Sequence, residues 1–152
     1  AGDVQVMSAG TGVRHSVFNR EVDDTQIFQS WIIPSERGGE PTWAAKAFPK
    51  EARAGQFVTL ASGSVPGGVN DNDGPMPIRT DAKVLGATIK AGESVTYDIP
   101  SKRRHLYLVP ATGKVQIRDT VAKARDGVAM TALESVTITA LEDSEVVLVD
   151  AA

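Results

Sequence analysis

The sequence predicts an all-β protein, built as a β-sandwich or a barrel. Short segments alternate apolar and polar side chains, which is the period of a half-buried strand. Clusters of glycine, proline, aspartate and asparagine separate these segments at short intervals, as turns do in sandwiches and barrels. No segment keeps a helical period over several turns, so we expect many short strands and no long helix.

The first part of the chain carries three predicted strands and one piece that is either extended or helical: residues 4–7, 13–18, 27–33 and 43–48. The loop after the first strand contains Gly10, which tolerates positive φ. Pro34 ends the third strand, and Pro49 stops the piece that follows it. Trp31 lies beside two isoleucines in the third strand, and we expect it in the core.

The rest of the chain carries eight further predicted strands: residues 57–61, 84–89, 94–99, 106–109, 115–117, 127–131, 136–139 and 146–149. Short polar turns connect most of them. Residues 63–75 are the most loop-like stretch, with a high density of glycine, proline, asparagine and aspartate. Such a composition predicts a hinge between two halves of the chain.

Composition narrows the classes of function. The formal net charge of −3 argues against nucleic acid as a direct partner. The chain has no cysteine, which excludes disulfides, thiolate catalysis and cysteine-type zinc sites, and which fits a reducing compartment. No apolar run is long enough to cross a membrane. We therefore expect a cytoplasmic protein with neither a membrane nor a nucleic-acid partner.

A weak internal repeat relates the two ends of the chain. With an offset of 123 residues, four residues of the first copy fall on identical residues of the second: Asp3, Met7, Ala9 and Val13 on Asp126, Met130, Ala132 and Val136. In the second copy Ile138 takes the place of His15, and Ala140 takes that of Val17. The repeat predicts a duplicated unit in which only the first copy keeps a ligand-type side chain.

The residues around His15 carry the clearest motif. The sequence DVQVMSAGTGVRHS at residues 3–16, followed by QSWIIP at residues 29–34, resembles the second cupin motif of the pirin family. Further similarities follow in the order of that family's carboxy-terminal cupin: residues 73–74, 80–82, 106–114 and 143–148. The resemblance covers essentially the whole chain. It implies a bicupin, in which two jelly-roll-like barrels of the double-stranded β-helix type lie face to face.

The resemblance also implies a division of the chain. Residues 1–62 correspond to the remainder of the amino-terminal cupin, 63–75 to the hinge, and 76–152 to a carboxy-terminal cupin without metal ligands. A pirin-like protein carries further strands and a His-x-His pair ahead of the position of Ala1, and the first methionine here is Met7. We therefore expect a processed chain or a fragment, with an incomplete first barrel and a complete second one. A missing amino-terminal segment or a second chain is the expected partner of the incomplete barrel.

The family pattern places a metal ion in the amino-terminal barrel. Its ligands are two histidines of the preceding motif, a histidine that matches His15, and a glutamate two residues later. Three imidazoles and one carboxylate suit Fe(II) or another divalent metal. Here the glutamate position is Val17, which cannot bind a metal, and Glu21 lies beyond a turn and does not replace it. His15 remains the single candidate ligand; the alternative is a strand histidine that is hydrogen-bonded or partly exposed.

Other motifs in the sequence give weaker evidence of a functional site. Residues 102–104 form a basic run ahead of His105, which is more typical of a solvated turn than of a phosphate site. Residues 70–74 have the composition of a calcium loop, but its first and twelfth ligand positions would be Val69 and Thr80. No serine has a recognisable histidine and aspartate partner set, so nucleophilic hydrolysis has no support.

Two functions from different classes remain. Pirin-like proteins are associated with quercetin 2,3-dioxygenase-type opening of flavonols, so the resemblance implies a metal-dependent dioxygenase with a flavonol-like ligand. The alternative is a non-catalytic binding or regulatory cupin that acts through protein partners. Val17 and the lack of a His-x-His motif in these residues favour the second function for this chain alone. We do not expect catalysis by these residues by themselves.

Overall fold

The computed structural model describes residues 2–63 and 74–152. This part of the chain forms twelve β-strands and one short 3-10 helix, Glu51–Arg53. Ahead of the helix lie β1 (Asp3–Ser8) and β2 (Thr42–Ala47). The other strands follow it: β3 (Val58–Ser62), β4 (Met76–Pro77), β5 (Ala82–Ile89), β6 (Ser94–Asp98), β7 (His105–Thr112), β8 (Lys114–Ile117), β9 (Thr120–Lys123), β10 (Val128–Thr131), β11 (Ser135–Ala140) and β12 (Ser144–Ala151). The predicted all-β class is confirmed.

The strands form two facing sheets and one separate pair. The larger sheet has six strands in the order β10-β7-β12-β5-β3-β4, and the smaller has four in the order β6-β11-β8-β9. β12 is central in the larger sheet, because it pairs along its whole length with β5 on one side and along most of its length with β7 on the other. β1 pairs only with β2, antiparallel, from Asp3 opposite Ala47 to Ser8 opposite Thr42. Two facing sheets joined by non-consecutive antiparallel pairs make a jelly-roll-like barrel.

Aliphatic side chains fill the space between the two sheets. β12 shows the alternation clearly, because Val146 and Leu148 are buried while Val147 and Val149 between and beyond them are only partly covered. Both sheets contribute other fully buried members of this core: Ile89, Leu108, Val115, Ile138 and Ala140. Each buried valine, leucine or isoleucine side chain contributes about 1.5–3 kcal/mol relative to an exposed one. The interior of this barrel is therefore a packed hydrophobic core.

A second, smaller hydrophobic cluster covers the opposite face of the six-stranded sheet. Leu60 on β3 and Val84 on β5 contribute to it from the sheet, while Val4 and Val6 contribute from β1. Phe48, directly after β2, is buried in the same cluster. The β1–β2 pair is thus packed against the outside of the barrel.

Two predicted strands are not formed. Residues 13–18 and 27–33 have no regular secondary structure, so the prediction of strands there is wrong for this chain. Their apolar side chains are exposed, with Phe18 at 82% and Trp31 at 85%, so the expected core position of Trp31 is wrong as well. A strand needs a neighbour for its backbone hydrogen bonds, and none of the described strands pairs with either segment.

The remaining strand predictions agree with the structure to within a few residues at each end. The piece at residues 43–48 is extended and forms β2. The sequence did not predict β4, β9 or the 3-10 helix, because elements of two to four residues are too short to show a period. Within the described part of the chain, no helix has the length and apolar character needed to cross a membrane.

The division of the chain at residues 63–75 stays a prediction. Residues 64–73, which include most of the stretch with calcium-loop composition, lie outside the described residues. β3 precedes this segment and β5 follows it, yet the two strands pair with each other in the six-stranded sheet. The packed barrel is therefore built from β3 together with strands of residues 76–152.

Candidate functional site

His15 lies in the long connection between β1 and β2, residues 9–41, which we call the arm. The arm has no strand or helix, and His15 is exposed on it. Val17, at the position of the family's glutamate, is 68% exposed. Because residues 15 and 17 do not lie on a strand here, nothing in the backbone fixes their side chains on a common face.

Within the described residues, His15 belongs to no cluster of metal-binding side chains. Glu21 is exposed in a turn, where its backbone N–H donates a hydrogen bond to Asn19 Oδ1 at 3.0 Å. Among residues 2–63 and 74–152, no three histidine, aspartate or glutamate side chains lie close enough together to hold a metal ion. One imidazole is too few ligands for a stable site. The residues present do not by themselves fit the metal centre that the family pattern implies.

The arm exposes a large amount of apolar surface. Its exposed apolar side chains include both aromatic and aliphatic residues: Val13, Val17, Phe18, Val22, Ile27, Phe28, Trp31 and Ile33. Single exposed apolar residues are ordinary, but a dense series of them is typical of a surface that contacts another polypeptide or a ligand. The arm is therefore the part of the chain with the strongest sign of an interaction surface.

Arg79 ties the end of the arm to the barrel. Its Nη1 donates a hydrogen bond to Gly38 O at 3.3 Å, and its Nη2 donates one to Glu40 O at 3.2 Å. The Arg79 carbonyl in turn accepts a hydrogen bond from the Ser35 N–H at 2.8 Å. Residues 35–39 of the arm and residues 78–81 border an open depression of about 670 Å³. Sequence reasoning did not single out Arg79, because a lone arginine carries no motif.

The second copy of the motif forms β10, a turn and β11. Ile138, at the position of His15, is fully buried in the barrel core. Ala140, at the position of Val17, is also fully buried. Neither side chain can bind a metal, so the second copy contributes packing where the first copy carries a histidine.

A buried polar network lies at one end of the barrel. Asp150 on β12 is fully buried, and its carboxylate accepts hydrogen bonds from Arg104 Nε and, at 2.5 Å, from the Tyr97 hydroxyl. Arg104 Nη1 also donates to Asp81 Oδ1 at 3.0 Å. The prediction that the basic run 102–104 is solvated is therefore wrong for Arg104, whose side chain is only 11% exposed. The buried carboxylate draws this one member of the run inward.

The network stabilises its own protonation states. Burial, reinforced by the hydrogen bond to Asp150, raises the pKa of Tyr97 well above its ordinary value, so the hydroxyl stays protonated. Burial opposes the charge on Arg104, but the hydrogen bonds it donates to Asp150 and Asp81 outweigh burial and raise its pKa. With both oxygens of Asp150 engaged, the network is an ion pair that supports the end of the barrel.

The architecture defines a protein class. Two facing, mostly antiparallel sheets with a jelly-roll strand order and a packed interior are those of a cupin barrel. Residues 68–151 match the family described as the quercetinase C-terminal cupin domain. The solved structure of YhhW from Escherichia coli superposes with a TM-score of 0.82 at 26% identity, covering 100% of this chain and 61% of that one. The cupin fold is thus supported by sequence and by structure.

The relatives identify the family. Over 152 residues the chain is 55% identical to a pirin-like protein of Caulobacter vibrioides, which covers 100% of this chain and 63% of the relative. Over 151 residues it is 30% identical to the quercetin 2,3-dioxygenase of Escherichia coli strain K12, covering 99% of this chain and 61% of that protein. The chain belongs to the pirin family. It spans about three fifths of the length of the curated relatives it matches.

Proposed function

We propose that this chain forms part of a metal-dependent dioxygenase of the quercetin 2,3-dioxygenase type, which acts on a flavonol-like small molecule. Membership of the pirin family and the name of the E. coli relative support this activity. A bacterial pirin, YhhW from E. coli, has been solved in complex with nickel(II) and is 27% identical to this chain, which supports a divalent metal. We expect Fe(II) or another divalent ion, with His15 as the ligand that this chain contributes.

The position of His15 on the exposed arm is the observation that carries the proposal. An additional amino-terminal segment or a second chain supplies the other ligands and completes the first barrel. Such a segment also covers the apolar side chains of the arm, among which Phe18 and Ile33 are more than four fifths exposed. When the arm gains a strand partner, residues 13–18 and 27–33 acquire the backbone hydrogen bonds they lack, and residues 15 and 17 then share one face.

Val17 favours a second function, a non-catalytic binding or regulatory cupin that acts through protein partners. A valine side chain has no lone pair to offer a metal, so a site built on the family pattern has three protein ligands instead of four. The exposed apolar arm then serves as the contact surface for a protein partner.

Metal analysis of the whole gene product, followed by a flavonol turnover assay, separates the two functions. The dioxygenase proposal predicts bound divalent metal and conversion of the flavonol. Val17→Glu restores the carboxylate, and we expect it to raise both the metal content and the turnover. Ser16→Glu is the matched control, because neighbouring side chains of a strand point to opposite faces. If neither the wild type nor V17E binds metal or converts the flavonol, the dioxygenase proposal is contradicted and the non-catalytic binding function is supported.

A further inference from the structure

The two ends of the arm meet at one place. The Thr11 N–H, near the start of the arm, donates a hydrogen bond to Gly39 O, near its end, at 3.0 Å. A Cβ on Gly10 would lie 2.3 Å from the same oxygen, so the two ends approach more closely than a side chain at position 10 would allow. The arm is therefore a loop that is closed at its base.

Arg79, between β4 and β5, holds this closure against the barrel. Its guanidinium donates hydrogen bonds to Gly38 O and Glu40 O, the carbonyls on either side of Gly39. A Cβ on Gly39 would lie 2.5 Å from Arg79 Nη1, so the glycine leaves free the space that the guanidinium occupies. Arg79 directly follows Ile78, which packs against the smaller hydrophobic cluster of the six-stranded sheet. The residue that holds the arm is thus anchored to that sheet.

Beyond this closure the arm forms hydrogen bonds only within itself. In the part of the chain that the structure describes, residues 13–34 take part in no backbone–backbone hydrogen bond. Their side-chain hydrogen bonds belong to one turn, from Asn19 Nδ2 to Asp23 O at 2.9 Å and from the Glu21 N–H to Asn19 Oδ1 at 3.0 Å. The hydrogen bonds that hold the arm to the rest of the chain are therefore concentrated at its base.

We propose that Gly10, Gly39 and Arg79 form a clasp, through which the packed barrel holds the base of the arm. The clasp keeps both ends of the arm fixed on the barrel, while residues 13–34 move about it as one closed loop. A contact surface that is held at its base loses less conformational freedom on binding than a free chain does. The barrel is thus the scaffold of the arm. Use of the arm as a contact surface rests on the proposed function, whereas the clasp is a property of this chain alone.

Hydrogen exchange of the Ser35 and Thr11 amides tests the clasp in the chain as it stands. The Ser35 N–H donates to Arg79 O at 2.8 Å, so the two amides report on the end and the start of the arm. Arg79→Met removes two hydrogen bonds, and we expect both amides to exchange on the order of 10-fold faster. The Gly92 amide, which donates to Ala140 O elsewhere in the barrel, should keep its wild-type rate. Unchanged exchange at Ser35 and Thr11, or an equal acceleration at Gly92, would overturn the proposal.

Arg37→Met is the matched control for R79M. Arg37 is exposed and borders the same depression as Arg79, so its replacement removes an equal charge from the same region. We expect the Ser35 and Thr11 amides to keep their wild-type exchange rates in R37M. An acceleration in R37M as large as that in R79M would assign the effect to charge and contradict the clasp.

Two neighbouring glycines give a second test that leaves Arg79 in place. Gly38 and Gly39 have similar positive φ angles, +81° and +84°, so alanine strains the backbone at either position. A Cβ on Gly38 would meet no atom within 4 Å, whereas one on Gly39 would displace the Arg79 guanidinium. We therefore expect Gly39→Ala to accelerate exchange of the Thr11 amide on the order of 10-fold more than Gly38→Ala does. In the R79M background this difference should vanish, because the displaced group is gone. Equal effects of G38A and G39A in the wild type, or a difference that persists in R79M, would refute the clasp.

Discussion

Breaking the ion pair between Arg104 and Asp150 should strongly destabilise the barrel. Asp150 is fully buried and the Arg104 side chain is 11% exposed, so Arg104→Met leaves a carboxylate without its charged partner in the protein interior. Removing one member of a buried pair costs about 3–5 kcal/mol. In a domain of this size the loss corresponds to a fall in Tm of roughly 6–20 °C.

Urea unfolding followed by far-UV circular dichroism at neutral pH measures this loss. We expect the unfolding midpoint of R104M to fall by roughly 1–3 M. Lys90→Met is the matched control, because Lys90 forms an ion pair with Asp143 at 2.7 Å in which both side chains are largely exposed. Its removal should leave the midpoint nearly unchanged, since water screens an exposed pair.

The double variant R104M with Asp150→Leu completes the test. Apolar replacement of both members of a buried pair is often neutral or stabilising, because no charge is left uncompensated. We therefore expect the second substitution to restore much of the stability lost in R104M. The reasoning is refuted if R104M is no less stable than the Lys90→Met control, or if the double variant is as unstable as R104M.

Three further predictions concern turns, pH and fluorescence. Gly113 and Gly92 both have positive φ, but a Cβ on Gly113 would overlap neighbouring backbone and side-chain atoms, while a Cβ on Gly92 would meet no atom within 4 Å. G113A should therefore lower the urea midpoint more than G92A does. Equal effects of the two substitutions would exclude the overlap as the cause. Burial and the hydrogen bond to Asp150 raise the pKa of Tyr97 above 10.0 in the folded chain. As the pH rises, the unfolded chain therefore loses the Tyr97 hydroxyl proton at a lower pH than the folded chain does. The stability it contributes is present below about pH 10 and is lost as the pH rises further, and Y97F should remove that alkaline loss in pH-dependent urea unfolding. Trp31 is 85% exposed, so its emission should resemble that of tryptophan in water and shift to the blue when the arm is covered; a blue-shifted emission from the isolated chain would contradict the exposed arm.

The strands of the packed barrel could be predicted from the sequence because their partners lie within the same chain. Residues 146–149 are an uninterrupted apolar run in the sequence, and in β12 they alternate in burial, with Val146 and Leu148 facing the core. The motif around His15 also predicted the pirin family, which the relatives confirm. Local apolar patterns were sufficient for the longer strands of the barrel because each of them found a neighbour within the chain.

The arm shows where this reasoning fails. Residues 13–18 show part of the same alternation between apolar and polar side chains, yet they form no strand. Alternation encodes which face a strand would bury, but the hydrogen bonds that make it a strand come from residues far away in sequence. The other ligands of a metal site at His15 would likewise come from residues far away in sequence or from another segment. The candidate metal centre therefore stays a prediction.

The buried polar groups were also beyond local sequence patterns. Asp150 stands at an inward position of β12, two residues after Leu148, and a charged residue at such a position indicates a buried partner. That signal was readable, but the identity of the partner was not, because Arg104 lies in a basic run with the pattern of a solvated turn. Arg53, which is buried beside Gly86 of β5, gave no sequence signal, because Gly86 lies in a distant strand.

Because β12 is central in the sheet and last in the chain, the six-stranded sheet cannot be completed during synthesis until β12 has been made. β3, β5, β7 and β10 all precede β12 in the chain, yet β12 separates β5 from β7 in the sheet. At ~5–20 residues per second, the ribosome needs roughly 3–12 s between completing β5 and completing β12. During that interval the edges of β5 and β7 that await β12 are unpaired and open to wrong partners. The nascent chain should therefore depend on chaperone protection until β12 emerges, and a stop codon ahead of β12 should release an aggregating product rather than a smaller barrel.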